Sequence, residues 1–459
     1  MPDVGSSDAA VPARPPVAPV KPWSFPRPQE YRLDNGIRLL AHDLPGQYVI
    51  SMRMAMPHRM SAEPRQLEGL SVLMAALMGE GTASHDPQGL AEVVERHGIA
   101  LALGASDGTL GLDLDVPKRF LPTAVDLARE ILAEPSFPEA EVRRAIATRL
   151  ADIEQERASA PHRALRELAA TFYEETQRAS RPAGGSAETV RAITRDALLA
   201  HHRASVGPDR ATVVIAGDLA GLDLPGLVGG SLGGWVNPDH VRAEPPSSPI
   251  THPRRVRVVV VDRPGSVQSE LVIAGPGPDR HVGQDSGWAP YPVAAYVLGG
   301  SPNARIDAVL REEKGYTYGI RAGYRPRRAG GMFLVSGSVR SEVTAESLDI
   351  LLHLLAEASE GFTEEEVRGG VDFISRTAPG RFATADQVAD ESLMVAVDGL
   401  PSTFTTDNLR RVTSLDALAV GDAYRRFAGE GWTVVIVGDA GAWAEQLAAA
   451  GHVVDVVGN

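Results

Sequence analysis

The sequence contains no cysteine in its 459 residues. Disulfides, thiolate zinc sites, iron–sulfur clusters and cysteine nucleophiles are therefore excluded, and any metal ligand would have to be His, Asp or Glu. Aromatic residues are scarce at 5%, but 43% hydrophobic and 23% charged residues are ordinary for a globular protein. At about 150 residues per domain, the length predicts two to four domains.

Positively charged residues are in the minority: the sequence has 45 Lys and Arg and 59 Asp and Glu, which gives a formal charge of −14. This is the wrong sign for neutralising nucleic-acid phosphates or for docking to anionic lipid. We therefore expect no nucleic-acid partner and no membrane partner.

Long apolar runs are also lacking, since no stretch approaches the roughly 20 residues that span a bilayer and no signal-peptide core is visible. This predicts a cytoplasmic protein. Eight of the first 28 residues are proline, with Ala and Val between them. The prolines prevent regular helix and central-strand pairing, so residues 1–29 are predicted to be a disordered leader.

An internal repeat indicates the domain organisation: Thr212–Asp218 (TVVIAGD) recurs as Thr433–Asp439 (TVVIVGD). Each copy follows a predicted helix that a threonine opens, Thr194 in one case and Thr413 in the other. Residues 229–234 form a glycine-rich stretch, interpreted as a flexible joint, and residues 236–255 contain five prolines, as a linker would. We predict homologous domains at 30–235 and 256–459, separated by a linker at 236–255.

Strands in hairpin groups, separated from helices, predict an α+β fold of two mainly antiparallel sheets, each with helices packed on one face. No glycine-rich phosphate loop follows a first strand, which argues against a doubly wound parallel sheet. Hairpins are predicted around turns at 34–36 and 106–108, and helices over 67–81, 87–97, 121–133 and 138–177, the last broken at Pro161.

Several motifs occur in a fixed order along the chain. They are Leu33–Arg38 (LDNGIR), Glu68–Leu70 (EGL) with Gly81–Thr82, Asp262–Ser269 (DRPGSVQS), Leu298–Gly300 (LGG) and Leu310–Gly319 (LREEKGYTYG). Over residues 30–445 the chain resembles the inverzincin metallopeptidases, the clan of pitrilysin, insulin-degrading enzyme and the mitochondrial processing peptidase. The resemblance implies a peptidase-like domain in each half.

The zinc motif of that family is missing. Active members carry H-x-x-E-H, two zinc ligands and a general base, on the helix after Glu-Gly-Leu. By register, Val72 and Ala76 stand at the histidine positions and Ala75 at the glutamate position. The third ligand would correspond to Asp152 or Glu154. We therefore predict no catalytic residue and no metal in this chain, and a helix that is apolar nearly all round and buried.

A second family motif is intact. Arg311 and Tyr318 keep the spacing and context of a pair that, by the resemblance, holds the substrate beside the scissile bond. Residues 305–313 are predicted to form a helix, Gly315 its left-handed end, and residues 316–324 the next strand. The alternative is that Arg311 only complements the helix dipole and nearby glutamates, and that Tyr318 is a core aromatic.

The resemblance implies a non-catalytic, substrate-binding subunit of a heterodimeric zinc metallopeptidase. A homologous H-x-x-E-H partner would hold the zinc, and this chain, inactive alone, would bind peptides through Arg311 and Tyr318. Two alternatives remain open: a scaffold or assembly subunit, and a stand-alone, homodimeric peptide-binding protein. The sequence does not choose between leader-peptide removal and peptide clearance.

Overall fold

The computed structural model describes residues 21–243, 256–281, 287–327, 331–429 and 431–458. Residues 1–20 of the predicted leader and 244–255 of the predicted linker lie outside them, so the domain limits stay predictions. The strands are β1 (Gln29–Arg32), β2 (Arg38–Asp43), β3 (Val49–His58), β4 (Ala100–Ser106), β5 (Gly108–Pro117), β6 (Thr212–Gly217), β7 (Arg257–Asp262), β8 (Gln268–Gly277), β9 (Arg321–Arg325), β10 (Gly331–Arg340), β11 (Thr433–Gly438) and β12 (Val453–Val457).

The helices account for most of the remaining chain. They are α1 (Leu70–Met78), α2 (Pro87–Arg96), α3 (Leu121–Ala133), α4 (Glu139–Ala158), α5 (Ala160–Phe172), α6 (Ala187–Arg191), α7 (Arg195–Ser205), α8 (Leu224–Leu232), α9 (Pro290–Ala295), α10 (Arg305–Asp307), α11 (Thr344–Glu357), α12 (Glu364–Arg381), α13 (Ala385–Val397), α14 (Phe404–Val412), α15 (Ala417–Phe427) and α16 (Ala440–Ala449). α9 continues into a π-helical turn, Tyr296–Gly300, and α10 into another, Ala308–Glu313. No described helix is both long enough and apolar enough to cross a bilayer.

The strands form two six-stranded sheets of matching topology. The first has the order β1-β2-β6-β3-β5-β4 and the second the order β12-β7-β11-β8-β10-β9. In each, the repeat strand (β6 or β11) runs parallel to one neighbour and antiparallel to the other. Both predicted hairpins are present, as β1–β2 and β4–β5. The predicted α+β class with two homologous, mainly antiparallel sheets is confirmed.

The Gly-Asp pair that ends each repeat strand makes the same contact in both domains. Asp218 accepts a hydrogen bond from the backbone N–H of Gly46 at 2.9 Å. Asp439 accepts one from the backbone N–H of Gly265, also at 2.9 Å. Each aspartate thus ties the repeat strand to the loop between two other strands of its sheet, which explains why the motif occurs twice.

Every residue of β6 and of β11 is buried, because both faces of each sheet are covered. One face packs against helices of its own domain, as predicted. On the other face, α13 of the second domain lies against β3 and β6, and α5 of the first domain lies against β11 and β8. Each domain therefore covers one face of the other domain's sheet with a helix. Because both faces of β6 and β11 are buried, their apolar residues form a continuous run instead of alternating with polar ones.

Polar contacts join the domains beside this exchange of helices. Arg53 on β3 donates from Nε to Asp390 on α13 at 2.7 Å, and also pairs with Asp115 on β5. His42 Nε2 lies 2.9 Å from Ser392 Oγ. These contacts and the shared apolar clusters make the two domains one packed unit.

Residues 21–28, assigned from sequence to the disordered leader, instead contribute Trp23 and Phe25 to a cluster between the first sheet and α13. Phe25 is only 4% exposed, and its backbone N–H donates to Thr406 Oγ1 at 3.0 Å. The Trp23 ring stacks on Phe382 with 5.6 Å between centroids. The aromatic side chains between the prolines, rather than the prolines, decide the conformation of this part.

Other local predictions also differ from the structure. Gly229 and Gly230 are not a joint but lie in α8, because Leu224, Val228 and Leu232 recur at helical spacing and are buried. Thr194 caps α7 as predicted, but Thr413 ends α14 instead of opening the next helix. The cap of α15 is Asp416, whose side chain accepts from the Ala419 N–H.

Candidate functional site

The helix that should carry zinc ligands, α1, presents none. Val72 is half-buried, Ala75 is 1% exposed and Ala76 is exposed, so the prediction of burial all round fails at Ala76. None of these side chains has an atom that could bind a metal or accept a proton. The residues present do not fit the zinc site of the resembled family.

The expected third ligand does not compensate. α4 packs against α1, but Asp152 and Glu154 on it are both exposed. Within the described ranges, no group of three or more His, Asp or Glu side chains is arranged to hold a metal ion. Two carboxylates without imidazole ligands give no catalytic zinc geometry.

A buried polar cluster lies at the first turn of α1. Ser71 Oγ is 2.8 Å from His58 Nε2 and 3.0 Å from His201 Nε2. Burial, and secondarily the nearby His201, lowers the pKa of His58 to about 4, and burial also lowers the pKa of His201. Ser71 is 0% exposed. A nucleophile must reach its substrate, so this serine–histidine arrangement is structural rather than catalytic.

Two buried ion pairs hold the chain entering α1. Glu63 accepts from the Ser71 backbone N–H at 2.7 Å and pairs with Arg178 at 3.0 Å. Glu68 pairs with Arg181 at 2.8 Å. Gly69 has a φ of +101°, and a Cβ there would lie 2.8 Å from a backbone oxygen of the loop before α6. The two ion pairs and the close approach at Gly69 each join residues more than 100 apart in sequence, so no local pattern could reveal them.

Arg311 and Tyr318 both project from the surface of the second domain. Arg311 lies in the π-helical turn after α10, its side chain is 41% exposed, and its Nε is 3.4 Å from Glu312 Oε1. Tyr318 is 95% exposed. No hydrogen bond or ion pair joins the two within the described residues. The alternative of a core aromatic at 318 is therefore wrong.

The backbone around Tyr318 is firmly anchored although its side chain is free. Gly315 takes a φ of +66°, which reverses the chain after the helix. Thr317 Oγ1 then donates to the Ser338 carbonyl oxygen at 2.7 Å. Asp307, 0% exposed, accepts from the Ile320 N–H at 2.9 Å and from Arg321 at 2.6 Å. β9 starts only at Arg321, so the strand predicted from 316 begins five residues late.

Asp307 and Thr317 were not found from sequence. Asp307 lies in a helix next to apolar residues, where a buried aspartate has no pattern of its own. The sequence signal that could have revealed Asp307 is a charged residue on the inward, otherwise apolar face of a helix. A buried charge of this kind requires a hydrogen-bonding partner. The partner here is the backbone of the loop that carries Tyr318.

Comparisons with known proteins match both halves of the chain to models of one peptidase family. Residues 60–184 match the family model described as insulinase (peptidase family M16), and residues 192–372 match the one described as peptidase M16 inactive domain. The non-peptidase homolog YmxG of Helicobacter pylori is 22% identical over 357 residues, covering 77% of this chain and 80% of the relative. An uncharacterized zinc protease of Mycobacterium bovis is 26% identical over 377 residues, covering 77% and 82%.

A solved structure shares the fold. The crystal structure of a peptidase M16 inactive domain from Pseudomonas fluorescens superposes with a TM-score of 0.81 at 21% identity, covering 90% of this chain and 98% of that one. Both family models match in chain order, the architecture agrees, and Val72, Ala75 and Ala76 occupy the positions of the zinc motif. The chain therefore belongs to the M16 (insulinase) peptidase family, as a homologue that lacks the catalytic motif.

Proposed function

We propose that this chain is the non-catalytic, substrate-binding subunit of a heterodimeric zinc metallopeptidase. The homologous partner would carry H-x-x-E-H and the zinc, and this chain would contribute Arg311 and Tyr318 to binding the peptide. The similar proteins are of both kinds, since one is named a non-peptidase homolog and another an uncharacterized zinc protease.

The exposure of Tyr318 on a fixed loop is the observation that carries the proposal. A tyrosine that is 95% exposed leaves its ring in water, whereas the loop beneath it is anchored by Thr317 and by the buried carboxylate of Asp307. Rigid support for an unpartnered aromatic side chain is typical of a recognition residue, because little conformational entropy is lost on binding.

The chemistry of the pair suits a peptide carbonyl. The Arg311 guanidinium has five N–H donors, and Glu312 is its ion-pair partner at 3.4 Å on the exposed side. The Tyr318 hydroxyl makes no hydrogen bond with any described residue. Two such donors directed at a carbonyl oxygen would stabilise negative charge that develops on it, an effect of about 3–4 kcal/mol for one well-placed donor.

An extended peptide also needs backbone partners, and the sheets offer them at their edges. β4 and β9 are outermost strands, and β9 begins three residues after Tyr318. A peptide adding as a strand at such an edge would gain main-chain hydrogen bonds regardless of its sequence. This fits unfolded peptides better than folded proteins as substrates, and a cytoplasmic location remains part of the proposal.

The test is the peptidase rate of a reconstituted pair. This chain would be co-expressed with a homologous H-x-x-E-H chain from the same genome, and the dimer would be isolated by size exclusion. Tyr318→Phe should lower the peptide cleavage rate about tenfold or more, because it removes one hydroxyl donor. Tyr48→Phe is the matched control, since Tyr48 is also exposed, at 67%, and lies in the other domain.

Each outcome separates the three hypotheses. A rate that falls only with Tyr318→Phe supports the substrate-binding subunit. A full rate with both variants would reject a role of Tyr318 in the reaction and favour a scaffold subunit. Failure to form a dimer with any H-x-x-E-H chain, together with peptide binding by this chain alone, would favour the stand-alone peptide-binding protein.

A further inference from the structure

A cavity of about 390 Å³ lies at the junction of the two domains, apart from Arg311 and Tyr318. Its walls are the tip of the β4–β5 hairpin, the end of α4, the outward side of α5, the turn at 178–183, and Arg327 after β9. This volume is within the range of about 300–1,000 Å³ that is typical of ligand pockets.

The cavity is basic although the protein is acidic overall. Six arginines line it, Arg157, Arg163, Arg166, Arg178, Arg181 and Arg327, against two acidic residues, Asp107 and Glu156. Arg178 and Arg181 are compensated by the buried Glu63 and Glu68. The Glu156 carboxylate is likewise engaged by Arg149, whose hydrogen bonds are the main reason that its pKa is lowered. Arg163 is likewise paired with Glu167 at 2.8 Å. The cavity therefore presents to a ligand the positive charges of Arg166 and Arg327.

Arg166 stands out among them. It is exposed, and it makes no hydrogen bond or ion pair with the part of the chain that the structure describes. Its charge contributes, after Arg149 and His162, to lowering the pKa of Glu156. Its helix, α5, is fixed because Ala164, Leu168 and Phe172 pack against the second sheet. Arg166 thus projects from a rigid support with its donors available for a ligand.

Arg327, from the second domain, lines the same cavity as Arg166. Its Nη1 donates to the Tyr173 hydroxyl at 2.6 Å, and its guanidinium lies 5.4 Å from the centre of the Tyr173 ring. These contacts hold the guanidinium in position without neutralising it, since tyrosine is uncharged at neutral pH. The positive charges on the two walls therefore come from different domains.

Apolar side chains complete the lining. Met60, Leu165, Ala179 and Pro182 lie among the arginines, and Leu165 is 46% exposed. A simple inorganic anion would leave this apolar surface unused. A carboxylate attached to an apolar group would use both kinds of surface.

We propose that this cavity, named the Arg166 cavity, binds a peptide carboxylate that is next to an apolar side chain. The proposal rests on the peptide-binding part of the function proposed above and names the peptide class, namely peptides with an acidic residue or a free C-terminus near a hydrophobic residue. An acidic side chain and a free C-terminus present the same group to Arg166 and Arg327, namely a planar carboxylate, which a guanidinium binds with two hydrogen bonds.

The experiment measures binding to the purified chain alone, without a partner subunit. A short Gly/Ser peptide ending in Glu-Leu, with a fluorophore at its N-terminus, is titrated with the protein and followed by fluorescence anisotropy. Saturable binding is expected, and Arg166→Glu should weaken it about tenfold or more, since a hydrogen-bonded charge pair is replaced by repulsion. Arg166→Ala is the milder second variant if the charge reversal impairs folding.

Arg143 supplies the matched control. It lies on α4, its side chain is 72% exposed, and it is not part of the cavity lining. Arg143→Glu makes the same change in net charge, so equal weakening by both variants would mean that only the overall charge matters and would overturn the proposal. Absence of saturable binding at millimolar peptide would overturn it as well.

Two further peptides distinguish the sources of the carboxylate. If amidation of the C-terminus abolishes binding, the terminal carboxylate is the ligand, and if replacing Glu by Gln does so, the side chain is. If the doubly neutral peptide binds as well as the original, the carboxylate proposal fails. Because no partner is present, these results are independent of the Tyr318→Phe test, so either proposal can fail without the other.

Discussion

The backbone N–H of Ile320 donates to Oδ1 of the fully buried Asp307 at 2.9 Å, and this contact closes the segment that carries Arg311 and Tyr318. The same carboxylate accepts from Arg321 through its other oxygen at 2.6 Å. Asp307 thus acts on the candidate site indirectly, by positioning the loop.

Asp307→Asn should therefore loosen this loop. An amide keeps the size of the side chain but loses the charge that attracts Arg321, and we expect a loss of about 1–3 kcal/mol in the free energy of unfolding. Hydrogen exchange of the Ile320 amide should accelerate. Asp349→Asn is the control, because that carboxylate is 51% exposed and its partner is the His452 ring at 2.9 Å. Unchanged exchange at Ile320 would contradict the positioning role.

Arg311→Ala should act on function without acting on stability. Because Arg311 is partly exposed and its partner is the neighbouring Glu312, we expect the free energy of unfolding to stay within about 0.5 kcal/mol of the wild type. The cleavage rate of the reconstituted pair should fall about tenfold or more. A lower melting temperature with a full rate per folded dimer would instead favour a structural arginine.

The purified chain should contain no stoichiometric zinc and cleave no peptide, because Val72, Ala75 and Ala76 offer neither ligand nor base. Elemental analysis and a peptide assay with and without chelator are the measurements. One zinc per chain with chelator-sensitive cleavage would refute this.

Restoring the motif should also fail. Ala75 is buried, so a glutamate there would be costly without a charged partner, whereas histidines at 72 and 76 would be more accessible. We expect the triple variant to be less stable than the double His variant, and neither to cleave peptide. Thermal unfolding of the two variants makes the comparison.

Acidification should destabilise the protein through its buried histidines. Burial lowers the pKa of His58 and of His42 to about 4, from the ordinary histidine value of 6.5. Between these values the unfolded chain binds protons that the folded chain does not, so stability is lost as the pH falls through this window. Each histidine adds a slope of up to about 1.4 kcal/mol per pH unit.

The measurement is thermal unfolding from about pH 7 to about pH 5. His58→Gln should flatten the dependence, because the glutamine cannot be protonated. His353→Gln, at an exposed position, should leave the dependence unchanged. Equal pH dependence in all three proteins would contradict the assignment.

Phe25→Ala should cost about 3–5 kcal/mol, as for other large buried side chains. The ring fills a site between the first sheet and α13 and contacts Phe382 with 5.2 Å between centroids. Phe373→Ala, at a residue that is 48% exposed, is the control and should cost much less. If both variants melt alike, the segment before β1 contributes nothing to the domain contact.

Local patterns predicted several elements because their causes are local. Asn35 and Gly36 supply the turn between β1 and β2, and the spacing of apolar residues sets α3 at 121–133, as predicted. Gly229 and Gly230 misled the prediction because glycine is intrinsically flexible, whereas the buried Leu232 and Val228 beside them keep the helix.

The sequence by itself determined which chemistry is absent and how the chain repeats. The chain has no cysteine, it has no metal ligand at positions 72, 75 and 76, and it contains two copies of the Gly-Asp strand. These features are set by the identity of the residues, which folding cannot change. Only the tertiary structure decided what covers the second face of each sheet, how Asp307 holds the loop of Tyr318, and which arginines share one cavity. Those contacts join residues far apart in sequence or surfaces of different domains, and their formation depends on how whole elements pack rather than on any neighbouring pattern.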